Sequence, residues 1–206
     1  MAEQAQNMPL FYKNPILLDA EKHQQLSLKK DFGLGFTAET NAVPINLIEL
    51  PQIAHCYPIG FSNDGQGTPV AILGVRNDEN LFVDEKGNWK KDAYIPSYIR
   101  RYQFILTEVN NGESSEVVTN DNKNPLFDKE KKPTELATNA MEFCKSYHAA
   151  SQQTLEFSKA LADSGLLVER TAELMVKGDQ KVSFSGFAII DEKAFNELDD
   201  ETFNEW

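Results

Sequence analysis

Between Thr134 and Ser164 the small and apolar positions recur at spacings of three and four. Leu136, Ala140, Phe143, Tyr147, Ser151, Leu155 and Ser158 trace one stripe, with Cys144 and Leu161 beside it. This period predicts one long amphipathic helix, ended by Gly165. Upstream the period is that of strands. Val70 to Val75 is a continuous apolar run, "RNDEN" is a turn, Leu81 to Val83 is a second short strand, and "DEKGN" turns the chain again before Trp89. This pattern predicts an antiparallel meander. In "RYQFILTEV", Tyr102, Phe104 and Leu106 alternate with Gln103, Ile105 and Thr107, which predicts a further strand. "NNGESSEVVTNDNKNPLFDKEKKP" is polar and reads as a surface excursion with the brief strand "EVVT" inside it. After the helix, "LLVERTAELMVKGDQKVSFSGFAIID" predicts a β-hairpin, with Leu174 and Val176 before a "KGDQ" turn and Val182, Phe184 and Phe187 after it.

Capping residues and prolines place the remaining elements. Asp19 can cap a short helix in "LLDAEKHQQLSLKKD", where Leu18, Lys22, Leu26 and Lys29 follow helical spacing. Pro44, Pro51 and Pro58 divide "VPINLIELPQIAHCYPIGF" into an extended entry, a short helical turn and a strand start. Asp191 caps a helix through Phe195 and Leu198, and "DDETFNEW" begins another at Asp199 or Asp200. Strands, a long helix, a hairpin and a helical end indicate an α+β fold. Residues 1–8 read as a loose N-terminal segment and residues 9–206 as a single domain.

Composition narrows the function classes. The chain has 206 residues, 41% of them hydrophobic, with 13 Phe and 6 Tyr to build a core. A formal net charge of -12 repels phosphate backbones, so nucleic acid is not an expected partner. No apolar run is long enough to cross a bilayer, and Pro9, Asn14 and Pro15 interrupt the N-terminal apolar pieces, which excludes the pattern of a cleaved signal peptide. The default expectation is a cytoplasmic protein; surface association without an N-terminal signal is compatible with the sequence. Cys56 and Cys144 lie far apart among apolar neighbours, as buried reduced thiols do.

Motifs for catalysis are weak. "GLGFTA", Gly33 to Ala38, matches a loose dinucleotide fingerprint but follows a helix-like segment and soon meets Pro44, so it reads as a loop. His23, His55 and His148 lack the spacing of metal ligands, and neither cysteine lies in a CxxC unit. Ser185 falls in a strand rather than at a nucleophile turn. Cys144 and His148 stand four apart on one helix, but on a stripe that reads as buried. The acidic C-terminal end has no calcium-loop glycine. No metal or cofactor is therefore expected.

"YIPSYIRRYQF", Tyr94 to Phe104, is the densest aromatic stretch, with Arg100 and Arg101 at its centre. Pro96 forces an extended approach and Ser97 can cap a single turn. The guanidiniums are expected to stack on tyrosines and fork onto a carboxylate as an internal anchor. The functional alternative is a pocket for a carboxylate or phosphate formed by Trp89, Tyr94, Tyr98, Arg100 and Arg101.

"HCYPIGF", "AILGVRNDENLFVDEKGNWKKDAYIPSYIRRYQF", "NPLFD" and "FSGFAIIDEKAFNEL" together resemble the bacterial SapC family, over most of the chain from Leu10 onward. Gln103 departs from the pattern, where the family usually has Pro. Members typically continue past the position of Trp206 into a further apolar segment, so an end at Trp206 implies either an exposed last helix or a shortened protein. The resemblance implies association with a surface layer and transfers no reaction or catalytic residue. The leading expectation is a non-enzymatic accessory protein of a surface-layer or envelope system. It would have a protein partner or form a homo-oligomer, and would contact it through Phe195, Leu198, Phe203 and Trp206. The alternative is a small-ligand binder, or an unfamiliar enzyme, built on the arginine and aromatic pocket.

Overall fold

A computed structural model describes residues 9–12, 16–29, 33–106, 118–119, 124–176 and 180–198. The loose segment 1–8, positions 107–117 and 120–123 of the strand and excursion readings, residues 177–179 of the "KGDQ" turn, and the helix expected from Asp199 or Asp200 lie outside the described residues.

The fold is α+β. Strands β1 (Ser27–Leu28) and β5 (Val118–Thr119) pair with each other. Strands β2 (Ala42–Pro44), β3 (Ile59–Ser62), β4 (Pro69–Ile72), β6 (Leu167–Val176) and β7 (Gln180–Ile190) form a second, fully antiparallel sheet in the order β2-β4-β3-β7-β6. Pro69 opens β4, a strand position where its missing N–H is tolerated. A 3₁₀ turn, Leu47–Glu49, leads into helix α1 (Leu50–Ala54), with Pro51 in its first turn where no intrahelical donor is required. Ile53 of α1 is fully buried with Val43, Ala71, Leu73 and Ile99, so prolines that break the local period also aim this turn into the core.

Helix α2 (Ser97–Arg100) is a single turn, and α3 (Glu135–Asp163) is the long helix, 29 residues and so roughly 43 Å. Thr134 caps α3 by accepting from Ala137 N at 3.4 Å. Its C-terminal half holds Leu161 against Phe61, Leu166 and Ala188, which ties the helix to β3 and the hairpin. Its N-terminal half places Ala137 with Leu126 and Phe127, alongside Leu26 and Leu28. Helix α4 (Glu192–Asn196) starts as read, with Asp191 Oδ1 accepting from Lys193 N at 3.0 Å and Ala194 N at 3.2 Å.

The hairpin fills the stretch read for it, with β6 beginning at Leu167 and β7 ending at Ile190. Arg170 faces Phe187 but Ala172 faces Phe184, so β7 carries one extra residue, and Gly186 there has φ +89. This β-bulge needs a left-handed residue and bends the ribbon. β3 pairs with β7 at Ala188 and Phe187, below the bulge, so the distal ribbon has only its two strands among the described residues.

Three local readings are corrected. Leu81 to Val83 is not a ladder strand: Val83 forms one isolated bridge with Trp89. Asp84 Oδ1 instead gathers Lys86 N at 2.9 Å and Asn88 N at 2.8 Å into a compact turn. Residues 101–106 are a turn and irregular chain, since Tyr102 N bonds Ile99 O, Phe104 N bonds Arg101 O and Gln103 has φ 98. Tyr102 leaves any strand alternation to stack on Phe36 at 4.0 Å. The helix read from Asp19 is only a turn, capped by Asp19 Oδ1 through Glu21 N and Lys22 N, after which Leu28 joins β1.

"GLGFTA" forms a 3₁₀ turn, Leu34–Thr37. Leu34 N bonds Gly87 O at 2.8 Å, so this glycine pair admits another backbone strand rather than a pyrophosphate. Gly74 is under a harder constraint: a Cβ there would lie 1.9 Å from Glu79 O. Gly74→Ala is expected to cost about 3 kcal/mol, since backbone must move to relieve the overlap. Urea denaturation measures it, and a loss below half that figure would mean the 74–79 loop yields freely.

Candidate functional site

The site begins with a buried carboxylate that sequence reading did not single out. Glu49 is 3% exposed. It closes a capping box on Asn46, with Oε2 accepting from Asn46 N at 3.1 Å. It also accepts from Ser97 N at 2.7 Å, Ser97 Oγ at 2.5 Å and Tyr94 OH at 2.9 Å. Ser97 therefore does not cap α2 as expected. Pro96 takes that position, and Ser97 is spent on Glu49. A lone Glu in "LIELP" has no pattern that announces this role; only the capping spacing from Asn46 to Glu49 hints at it.

Tyr94 carries the link outward. Its OH donates to Glu49 and accepts from Arg100 Nη2 at 2.8 Å, while Arg100 Nε donates to Ile95 O at 3.0 Å. The Arg100 guanidinium stands 5.3 Å from the ring centroids of Tyr94 and Phe143. The expected carboxylate anchor thus takes a different form: Glu49 holds Arg100 through one intervening phenol. Among the described residues neither Arg100 nor Arg101 forms an ion pair.

Arg101 is held by rings instead. Its Cζ lies 4.2 Å from the Tyr147 centroid, 4.4 Å from Tyr98 and 5.8 Å from Tyr12, and its buried Nε has no hydrogen-bond partner among the described residues. A planar, weakly hydrated guanidinium suits such a cage. Tyr98 OH donates to Leu10 O at 3.2 Å and Tyr12 OH to Phe104 O at 2.8 Å, which closes the cage with the N-terminal chain.

Beside both arginines opens a cleft of about 430 Å³. Leu34, Phe36 and Ile99 form one wall, and Leu136, Ala140 and Phe143 of α3 form the other. Arg100, Arg101, Gln103 and Asn139 supply its polar groups, and among the described residues no carboxylate lines it. The second half of the α3 stripe, Tyr147, Ser151, Leu155 and Ser158, borders a smaller cavity of about 130 Å³ near Asn46 and Thr68. The stripe read as core is thus largely the wall of two cavities, which is why Leu136 is 38% and Leu155 53% exposed.

The other residues named from sequence lie elsewhere. Trp89 stacks near Phe82 and donates Nε1 to Tyr57 OH at 3.0 Å, away from the cleft. Tyr94 and Tyr98 stand behind the arginines and do not line it. Phe195 is 37% exposed on α4, and Leu198 packs toward Leu161. Phe203 and Trp206 lie outside the described residues.

Cys144 lines the cleft as a protonated thiol: burial pushes its pKa up, against the smaller pull of Arg101. His148 is exposed, and Cys56 is half-buried and accepts from Tyr94 N at 3.4 Å. Both cysteines are free. Among the described residues no His, Cys, Asp and Glu group is placed to hold a metal, and no helix is long and apolar enough to cross a membrane.

Burial raises the Tyr57 and Tyr147 phenols to about 12 from 10.0, for Tyr147 against the opposing charge of Arg101. A folded pKa above the unfolded one means the contribution is complete below pH 10.0 and lost as pH rises toward 12. Alkaline titration is expected to show these phenolates forming late, together with loss of folded signal. Phenolate absorbance rising fully at the ordinary tyrosine pKa, with structure intact, would contradict the packing.

No curated protein and no solved structure matches the chain. A family model described as SapC matches residues 18–206, a span that takes in the arginine turn, the cleft and the hairpin, and the chain belongs to the SapC family.

Proposed function

We propose that this protein binds a small organic anion in the cleft between α2 and the N-terminal half of α3. The observation that carries the reading is the cleft itself: apolar walls and, among the described residues, two arginines without a carboxylate partner and no acidic group in the lining, in a chain with net charge -12. Its volume falls in the range of about 300–1,000 Å³ usual for small-ligand sites. Burial keeps the thiol in its wall, Cys144, protonated, which favours binding over catalysis.

The test uses anilinonaphthalene sulfonate, an apolar anion whose fluorescence reports burial. One dye is expected to bind per chain, and Ala140→Phe, which fills the cleft from α3, is expected to abolish the signal while circular dichroism stays unchanged. Dye binding that survives Ala140→Phe overturns the reading.

A second reading, an accessory role in a surface-layer or envelope system through a protein contact, is favoured by the projecting ribbon. Leu174 is 36% and Met175 63% exposed on it, in addition to Phe195 on α4. Sedimentation of the purified protein tests self-association directly, and a Leu174→Glu, Met175→Glu variant that leaves an oligomer intact would remove the ribbon from its interface.

A further inference from the structure

From the donor arrangement of Arg100 we infer that the ligand is an amphipathic monocarboxylate, its carboxylate forked on the outer end of that guanidinium and its apolar body laid along Phe143 and Phe36; this rests on the cleft being a ligand site. A guanidinium has five N–H donors in one plane. Arg100 spends its Nε on Ile95 O and one Nη2 hydrogen on Tyr94 OH. Those two bonds consume the side edge and lock the group's rotation. Among the described residues no partner takes the outer end, where one N–H from each terminal nitrogen runs parallel to the other. That pair matches the two oxygens of a carboxylate.

Three features favour carboxylate over phosphate. Arg101 cannot turn to add a second fork, because Tyr98 and Tyr147 hold its plane at 4.4 and 4.2 Å and its Nε lies out of solvent reach. Among the described residues no lysine lines the cleft. Among the described residues no series of backbone amides lines it as a nest would, since α2 is a single turn whose N-terminal Ser97 N is already given to Glu49. A dianionic phosphate with three acceptor oxygens would meet one fork only. Arg101, held at the cleft wall by its rings, adds positive charge there, which strengthens attraction for one negative charge.

The body of the ligand is set by the walls. Phe143 stands 5.3 Å from the Arg100 guanidinium, so a group bound at the fork starts against that ring. Phe36, stacked on Tyr102 at 4.0 Å, faces it from the other wall. An aromatic or branched apolar body of modest length fits between them.

The experiment displaces the bound dye with three compounds that share one body: 3-phenylpropionate, 3-phenylpropan-1-ol and phenethyl phosphate. The acid is expected to bind at least about tenfold more tightly than the alcohol, the scale of one charge-assisted fork. Arg100→Gln is expected to remove that preference and leave the alcohol unchanged. Arg100→Lys, which keeps the charge without the fork, is expected to lose most of it. Arg76→Gln, a remote arginine paired with Glu79, should change nothing. Equal binding of acid and alcohol overturns the carboxylate assignment while leaving the cleft as an apolar site. Tighter, Arg100-dependent binding of the phosphate also overturns it, and keeps the anion site. If the dye binds elsewhere and no compound displaces it, both this assignment and the ligand-binding reading fail.

Discussion

Glu49→Ala is expected to destabilise the protein by about 4 kcal/mol, a large part of the roughly 5–15 kcal/mol that holds a domain of this kind together. The reason is the number of donors left behind. Asn46 N, Ser97 N, Ser97 Oγ and Tyr94 OH all point at this carboxylate, in a place too buried for water to replace it. Glu49→Gln tests the same claim more gently, since the amide keeps one acceptor but turns an NH₂ toward the remaining donors; about half the loss is expected. Because Tyr94 also orients Arg100, both variants should weaken anion binding in whatever fraction stays folded. Denaturant melts measure the stability. A midpoint shift equivalent to less than about 1 kcal/mol for Glu49→Ala would show that the site is wetter than its burial indicates.

Arg101→Ala is expected to cost about 3 kcal/mol. Two effects oppose each other. Removing Arg101 relieves a buried Nε without a partner among the described residues, which by itself favours the variant. It also empties the space between Tyr98 and Tyr147, where the guanidinium sits 4.4 and 4.2 Å from the ring centroids, and strips the cation from two buried ring faces. The second effect is larger because packing and ring–cation attraction are both lost. Arg101→Met separates them: it refills the slot without charge and should recover about half the loss. Full recovery by Met would assign the whole effect to packing, and an unchanged melting temperature for Arg101→Ala would refute the cage.

Much of the scaffold was legible from residues alone, because it rests on local chemistry. Thr134, the period of α3 and the break at Gly165 define that helix within the chain itself, and Asp191 marks the start of α4 by its side-chain bonds. The hairpin was legible for the same reason. What escaped was set by distant partners. Tyr102 and Phe104 alternate like a strand, yet Tyr102 is claimed by Phe36, so the backbone turns through Gln103. Its φ of 98 is one that proline could not adopt. The α3 stripe was correct as a period and misleading as a core, since periodicity cannot report whether the facing elements close against it. Leu136 and Phe143 meet space where Leu161 meets Phe61. The two arginines were legible as chemistry, but their partners were not: a fork onto carboxylate was the expectation, and a phenol relay and a tyrosine cage are the outcome.

The bulge at Gly186 divides the hairpin into two cooperative regions. Below it, β7 is bonded on both sides, to β6 and to β3, so its amides exchange with solvent only when the sheet itself opens. Above it, each strand has one described neighbour, and the pairs from Ala172 to Val176 can part without disturbing Ala188 or the cluster around Leu161. Deuterium uptake along β7 should therefore change abruptly at that glycine. A protease could nick the outer ribbon and leave the sheet, and the cleft at the far end of α3, intact.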